Sequence, residues 1–151
     1  SYDRRIMAEL SRQGRLPVTE LARRVGLTKT PCQARIKKLE AAGFIRGYAA
    51  RLDHRKLGQG HVSFVEVRLS DTREAALRAF NDGARAVPEI EECHMIAGAF
   101  DYLLKVRSRD IDGYRRVLGE VISALPHVAA TSTYVSMEAV KDSSDPGLAL
   151  D

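Results

Sequence analysis

Residues 18–45 read VTELARRVGLTKTPCQARIKKLEAAGFI, two short amphipathic helical patterns on either side of a glycine, the second studded with cations. In the first pattern Leu21, Ala22 and Val25 form the apolar stripe, and Gly26 supplies the left-handed residue that turns the chain without a Cβ clash. In the second, Thr28 stands where a helix wants its N-cap, and Pro31 falls in the first turn, where its missing N–H has no intrahelical partner. Cys32, Ile36 and Leu39 then recur at i, i+4 and i+7, which turns them toward a core. The same spacing leaves Lys29, Thr30, Gln33, Ala34 and Lys37 on the outer surface, with Arg35 and Lys38 at its flanks. This is the sequence form of a helix-turn-helix, and it makes double-stranded DNA the leading partner. Lys29 and Gln33 are read as base contacts, and Arg35, Lys37 and Lys38 as phosphate contacts. A polar, cationic helix N-terminus meets phosphates through its free N–H groups and offers Gln or Lys to base edges.

On the N-terminal side, Ile6, Met7 and Leu10 fall on one side of a first helix that starts near Asp3 and ends before Gly14. On the C-terminal side Gly43 closes the reading helix. Phe44-Ile45 and residues 48–52 then predict two short strands, a wing. Residues 53–60, with Gly58 and Gly60, read as a linker. The expected domains are thus 1–52 for DNA, a linker at 53–60, a second domain at 61–141, and a tail at 142–151.

Charge divides the chain at the same place. Residues 1–58 hold 14 Lys/Arg against 5 Asp/Glu, a balance of +9, whereas residues 59–151 hold 10 against 15, a balance of −5. A basic module for a polyanion followed by a slightly acidic module is the expected organisation. The apolar fraction of 44% is ordinary for a globular protein, and no apolar run approaches the ~20 residues that span a bilayer. With no signal-peptide pattern at the start, a cytoplasmic, nucleoid-associated location is expected, with no membrane partner. Cys32 and Cys93 lie far apart without Cys-x-x-Cys spacing, which suggests neither a disulfide framework nor a zinc site.

The second half alternates elements. Val65, Val67 and Leu69 interleave with Phe64, Glu66 and Arg68 as a period-two strand. Asp71 and Glu74 resemble a capping box ahead of a helix carrying Leu77, Phe80, Ala84 and Val87, which Pro88 ends. Strands follow at residues 90–97 and 102–107. Asp110 caps a second helix bearing Tyr114, Val117, Leu118, Val121, Ile122 and Leu125, Pro126 stops it, and residues 128–137 form the last strand. The order β-α-β-β-α-β predicts an antiparallel sheet with both helices on one face, so the whole chain is α+β: a winged helix-turn-helix and a ferredoxin-like domain. A sheet with apolar residues on both faces is expected to pair with a second copy, which would present two reading helices to DNA half-sites.

The chain resembles the leucine-responsive/asparagine-regulatory (Lrp/AsnC) family of transcription factors over nearly its whole length. The resemblance is carried by Glu20-Leu21-Ala22, Val25-Gly26-Leu27-Thr28, Arg35-Ile36-Lys37-Lys38-Leu39-Glu40, Gly43, Ile45 and Gly98-Ala99-Phe100-Asp101-Tyr102-Leu103-Leu104. It implies a sequence-specific DNA-binding regulator, not an enzyme, built as a winged helix-turn-helix hinged to a ferredoxin-like domain that dimerises, assembles to octamers and binds an amino-acid effector. It further implies an effector site at Gly98, Ala99, Phe100, Asp101, Thr131 and Thr133. A carboxylate such as Asp101 can pair with an α-ammonium, and glycine lets backbone N–H groups approach an α-carboxylate. The same residues would serve as a tight turn between strands. Residues 91–98 and 125–128 resemble the branch of the family that activates proline utilisation, which implies proline as effector. Members usually carry a few more residues before the first helix and end before Ser143, so the resemblance implies a trimmed start and an added tail.

Two other functions compete. A nucleoid-architectural protein would use the same phosphate contacts with little sequence preference. An enzyme on a ferredoxin-like fold would need a catalytic or metal constellation. His54, His61, His94 and His127 have no metal spacing, no glycine-rich phosphate loop occurs, and Cys93 and His94 as strand neighbours point to opposite faces. No catalytic residue, metal ligand or cofactor is therefore expected.

Overall fold

The computed structural model describes residues 1–143. Residues 144–151, most of the expected tail, lie outside the described residues. The chain divides into two compact units, one containing Ser1–Leu52 and the other Asp53–Ala139.

The first unit is three helices, α1 (Tyr2–Arg12), α2 (Val18–Val25) and α3 (Lys29–Ala41). Their apolar stripes meet in one core of Ile6, Leu21, Ala22, Val25, Cys32 and Leu39, with Ile36 and Ile45 packed at its edge. Gly26 turns the chain with φ +82, and the Leu27 N–H returns 2.9 Å to the Ala22 carbonyl, so the end of α2 is sealed at the position the sequence marks. Thr28 occupies the N-cap of α3 with extended backbone, but its hydroxyl makes no capping bond.

Residues 44–52 correct the two strands expected there: no strand forms. The Ile45 N–H is spent on the Leu39 carbonyl at 3.2 Å, closing α3, and Ile45 itself packs on the core. The stretch after it has β-forming composition, but no ladder partner among the described residues, and a lone two-stranded ribbon is marginal in water. Residues 53–60 correct the linker. They fold into successive turns, with Leu57 N–H to the Asp53 carbonyl and Gln59 N–H to the His54 carbonyl, and belong to the second unit.

The second unit is a four-stranded antiparallel sheet of β1 (His61–Leu69), β2 (Ile90–Met95), β3 (Tyr102–Ser108) and β4 (Val128–Val135), in spatial order β2-β3-β1-β4. The helices α4 (Glu74–Arg85) and α5 (Ile111–Val117) complete it, α5 running on into a wider π-helical turn at Leu118–Ile122. Val65, Val67 and Leu69 alternate inward with Tyr102, Leu104 and Val106, and Phe80, Ala84, Tyr114 and Ile122 cover them. The opposite sheet face is mixed rather than apolar: the cross-strand pair Phe64 and Tyr134 lies among Glu66, Lys105 and Arg107.

Asp110 caps α5 as expected, its carboxylate accepting from the Gly113 N–H at 2.8 Å. The capping box at Asp71 and Glu74 does not form. Arg73 occupies the N-cap instead, and Asp71 accepts both the Arg73 N–H and its guanidinium in a closed local turn.

Phe80 is fully buried with its ring 4.3 Å from that of Tyr102. Phe80→Ala is expected to lower the unfolding free energy by about 3–5 kcal/mol, read from urea unfolding. A loss below ~1 kcal/mol would show that this ring does not organise the sheet–helix layer.

Candidate nucleic-acid interface and effector loop

Burial of Cys32 and Leu39 fixes which side of α3 meets solvent. Lys29, Thr30, Gln33, Ala34, Lys37 and Lys38 are all exposed, as the spacing predicts. Among the described residues Lys29, Lys37 and Lys38 make no ion pair, so three ammonium groups stand available on one helix. Arg35 departs from the set. Its guanidinium turns toward α1, 3.2 Å from the Asp3 carboxylate and 5.2 Å from the centre of the Tyr2 ring, and the residue is half-buried. The sequence places Arg35 at the flank of the helix; partners 32 and 33 positions away were not visible there.

The scaffold under α3 is held by a second set of contacts that sequence reading missed. Arg24 donates to Glu20 at 3.0 Å, to Glu9 at 3.1 Å and to Gln13 at 3.2 Å, joining α2 to α1. Arg23 pairs with the same Glu20 at 2.6 Å. Only the spacings of three and four from Glu20 to Arg23 and Arg24 along one helix were readable signals. Hydrogen bonds from Arg23 and then Arg24 hold the Glu20 carboxyl down at about 2, against an ordinary value of 4.5.

The expected effector residues fall into two groups. Gly98, Ala99, Phe100 and Asp101 form the loop between β2 and β3, where Gly98 and Ala99 are exposed and Phe100 and Asp101 half-buried. Gly98 does not adopt positive φ, and a Cβ there would make ordinary contact with Ile96, so the chain's own packing does not demand glycine at that place. Asp101 is a tie rather than a free carboxylate. One oxygen accepts the Leu69 N–H at 2.8 Å, its own N–H donates to the Val67 carbonyl at 2.9 Å, and its carbonyl takes the Ile96 N–H at 2.8 Å. These bonds staple the loop to the end of β1.

Thr131 and Thr133 stand opposite Val67 and Val65, hence on one face of β4, the face that the helices cover. The Thr133 hydroxyl is engaged by the Tyr114 hydroxyl, so it is not left free as the sequence implied. A cleft of about 380 Å³ opens between α4 and the β2 edge, lined by Asn81, Arg85, Cys93, Met95 and Tyr102, the last two flanking the 96–101 loop. Partial desolvation pushes the Cys93 thiol up, although the residue borders solvent. His94 pairs with Glu92 at 3.0 Å, not with Cys93.

No group of three or more His, Cys, Asp or Glu that could hold a metal ion occurs among the described residues, and no helix among them is long and apolar enough to cross a membrane.

Comparison with known proteins matches each half separately. Residues 1–46 match the family model described as winged helix-turn-helix DNA-binding, and residues 62–146 that described as Lrp/AsnC ligand binding domain. A proline dehydrogenase transcriptional activator of Rhodobacter capsulatus is 61% identical over 97% of this chain and 95% of its own length. The leucine-responsive regulatory protein of Escherichia coli K12 is 45% identical over 94% of this chain and 87% of its own. In structure, the transcriptional regulator NMB0573 of Neisseria meningitidis, solved with L-Met, superposes with a TM-score of 0.89 at 29% identity, covering 94% of this chain and 92% of that one.

Two outcomes follow from the ties described above. Asp101→Ala strands the half-buried Leu69 N–H and is expected to cost about 1–3 kcal/mol in urea unfolding, while Asp101→Asn, which keeps an acceptor, costs clearly less. Equal losses would mean that the tie to Leu69 is not what Asp101 supplies. Because the Glu20 carboxyl is depressed in the folded chain, its stabilisation is complete above pH 4.5 and fades as pH falls toward about 2. Thermal unfolding of Glu20→Gln should therefore vary less steeply than wild type over that window, and an unchanged slope would contradict the pairing.

Proposed function

Because the chain belongs to the Lrp/AsnC family of transcriptional regulators, we propose that it reads DNA with the exposed face of α3 and answers to proline through the loop between β2 and β3. It is a DNA-binding transcription regulator with an amino-acid-responsive domain, and its relatives are named as regulators rather than enzymes.

The observation that carries the DNA reading is the one-sidedness of α3. Its apolar seam is buried and the opposite side offers Lys29, Thr30, Gln33, Ala34, Lys37 and Lys38, short or cationic groups compatible with close approach to a major groove. Lys29 and Gln33 contact bases, and Lys37 and Lys38 contact phosphates. Arg35, expected among the phosphate contacts, is taken out of that set by its pairing with Asp3.

The effector proposal is supported by the 61% identity to a proline dehydrogenase activator. Exposed backbone at Gly98 and Ala99 receives the effector's carboxylate, with Phe100 beside it. Asp101 meets the ammonium only with the oxygen not spent on Leu69, and Thr131 and Thr133 lie on the neighbouring strand face. Copies assemble through the open sheet face, first as dimers and then as octamers, and effector binding favours one assembly over another by differential affinity. The chain acts in the cytoplasm, on genes for proline use.

Anisotropy titration of labelled duplexes tests the interface. Lys38→Ala should weaken binding on every sequence about equally and reduce the slope of log K against log salt by about 0.9. Gln33→Ala should instead lose preference for one sequence over another. Wild-type sequence preference in Gln33→Ala would reject Gln33 as a reader. A protein with no preference at all would favour the architectural reading.

A further inference from the structure

Among the described residues, Arg35 is the one cation of α3 with a side-chain partner on another helix. Its Nη1 lies 3.2 Å from an oxygen of Asp3, and its guanidinium carbon sits 5.2 Å from the centre of the Tyr2 ring. Both partners belong to the first turn of α1. We infer that Arg35 is a positioning residue for DNA reading, a latch of Tyr2, Asp3 and Arg35 that fixes the roll of α3 so that Gln33 and Lys29 face the groove together.

The geometry of the seam explains why a latch is useful. Only Cys32 and Leu39 of α3 are buried, with Ile36 partly so, and these three lie in one narrow stripe along the helix. Such a stripe sets which side of the helix is buried, because Lys29, Gln33 and Arg35 on its borders are too polar to replace it, and contacts made at those borders set the finer angle of the helix. Arg35 projects from the flank of that stripe, where a bond to α1 acts with leverage against roll. A planar guanidinium suits the task, since it can pair with a carboxylate along its edge and lie over an aromatic ring with its face.

The pairing also alters the electrostatics of the interface. The Asp3 carboxylate offsets the Arg35 charge within one contact distance, so the pair presents little net charge to a phosphate. Asp3 is also the first-turn acid of α1, which is a favourable site for a carboxylate at a helix N-terminus. Arg35 is thereby separated in role from Lys37 and Lys38, which no side chain among the described residues neutralises.

This inference rests on α3 being the reading helix, and the experiment separates the two. The full chain is titrated by anisotropy against a duplex obtained by in-vitro selection with wild type and against a scrambled duplex of equal length, over a range of salt. Arg35→Gln is expected to lower preference for the selected duplex by about three- to tenfold, the range of a weak exposed pair augmented by a ring contact, and Asp3→Asn, which keeps the ring contact, by about two- to fivefold. The double variant should be no worse than the weaker single, and the salt slope on scrambled DNA should not change. The charge-swapped variant Asp3→Arg/Arg35→Asp should regain part of the preference, which a purely destabilised fold would not.

The latch is overturned if Arg35→Gln loses affinity equally on both duplexes with a slope lower by about one, the signature of a phosphate contact, while Asp3→Asn binds as well as or better than wild type. It is also overturned if both singles keep full preference. In either case a normal response of Lys38→Ala leaves the DNA reading of α3 intact. Absence of salt-dependent binding by wild type would remove that reading and the latch with it.

Discussion

The burial of one apolar stripe of α3, Cys32, Ile36 and Leu39, against Ile6, Leu21, Ala22 and Val25 is the constraint on which the DNA-binding half depends. Each fully buried side chain of this size contributes roughly 1.5–3 kcal/mol relative to exposure, so the stripe alone outweighs the ion pairs around it. Once that side is committed, the 3.6-residue period decides which residues face outward, and the polar and cationic ones do. The ion pairs then refine an orientation that apolar packing has chosen. Arg24 bridges α1 and α2, and Arg35 bridges α1 and α3.

Helix and strand period were legible because they are local. The stripes of α2 and α3, the glycine at 26, the cap at Asp110 and the inward alternation of Val65, Val67 and Leu69 all follow from residues within a few positions of one another. The features that escaped are those made between distant segments. Arg35 meets Asp3 and Asp101 meets Leu69, each across 32 positions, and Tyr114 meets Thr133 across 19. A residue type predicts what a side chain can bond; only the fold says which partner reaches it first.

The two strands expected after α3 and the slack expected at residues 53–60 are absent for a related reason. Aromatic and aliphatic residues between Phe44 and Leu52 have the composition of strands, yet a strand is defined by its neighbour, and none of the described strands runs beside them. Glycines at 58 and 60 suggested slack, but a turn can use glycine as readily as a linker can. Arg107 donates to the Gln59 carbonyl at 3.1 Å, and His54 lies 3.9 Å from Glu91, so this segment is fastened to the sheet. The loop between β2 and β3 shows the same economy: Asp101 holds its own loop in place.

The central claim is that the outer face of α3 meets DNA. Lysine acetylation of the full chain, read by mass spectrometry with and without a saturating selected duplex, tests it at single-residue resolution. Lys29, Lys37 and Lys38 should become protected on DNA while Lys56, exposed and within the second unit, keeps its reactivity. Unchanged reactivity of all three α3 lysines in a demonstrably bound protein would contradict the account.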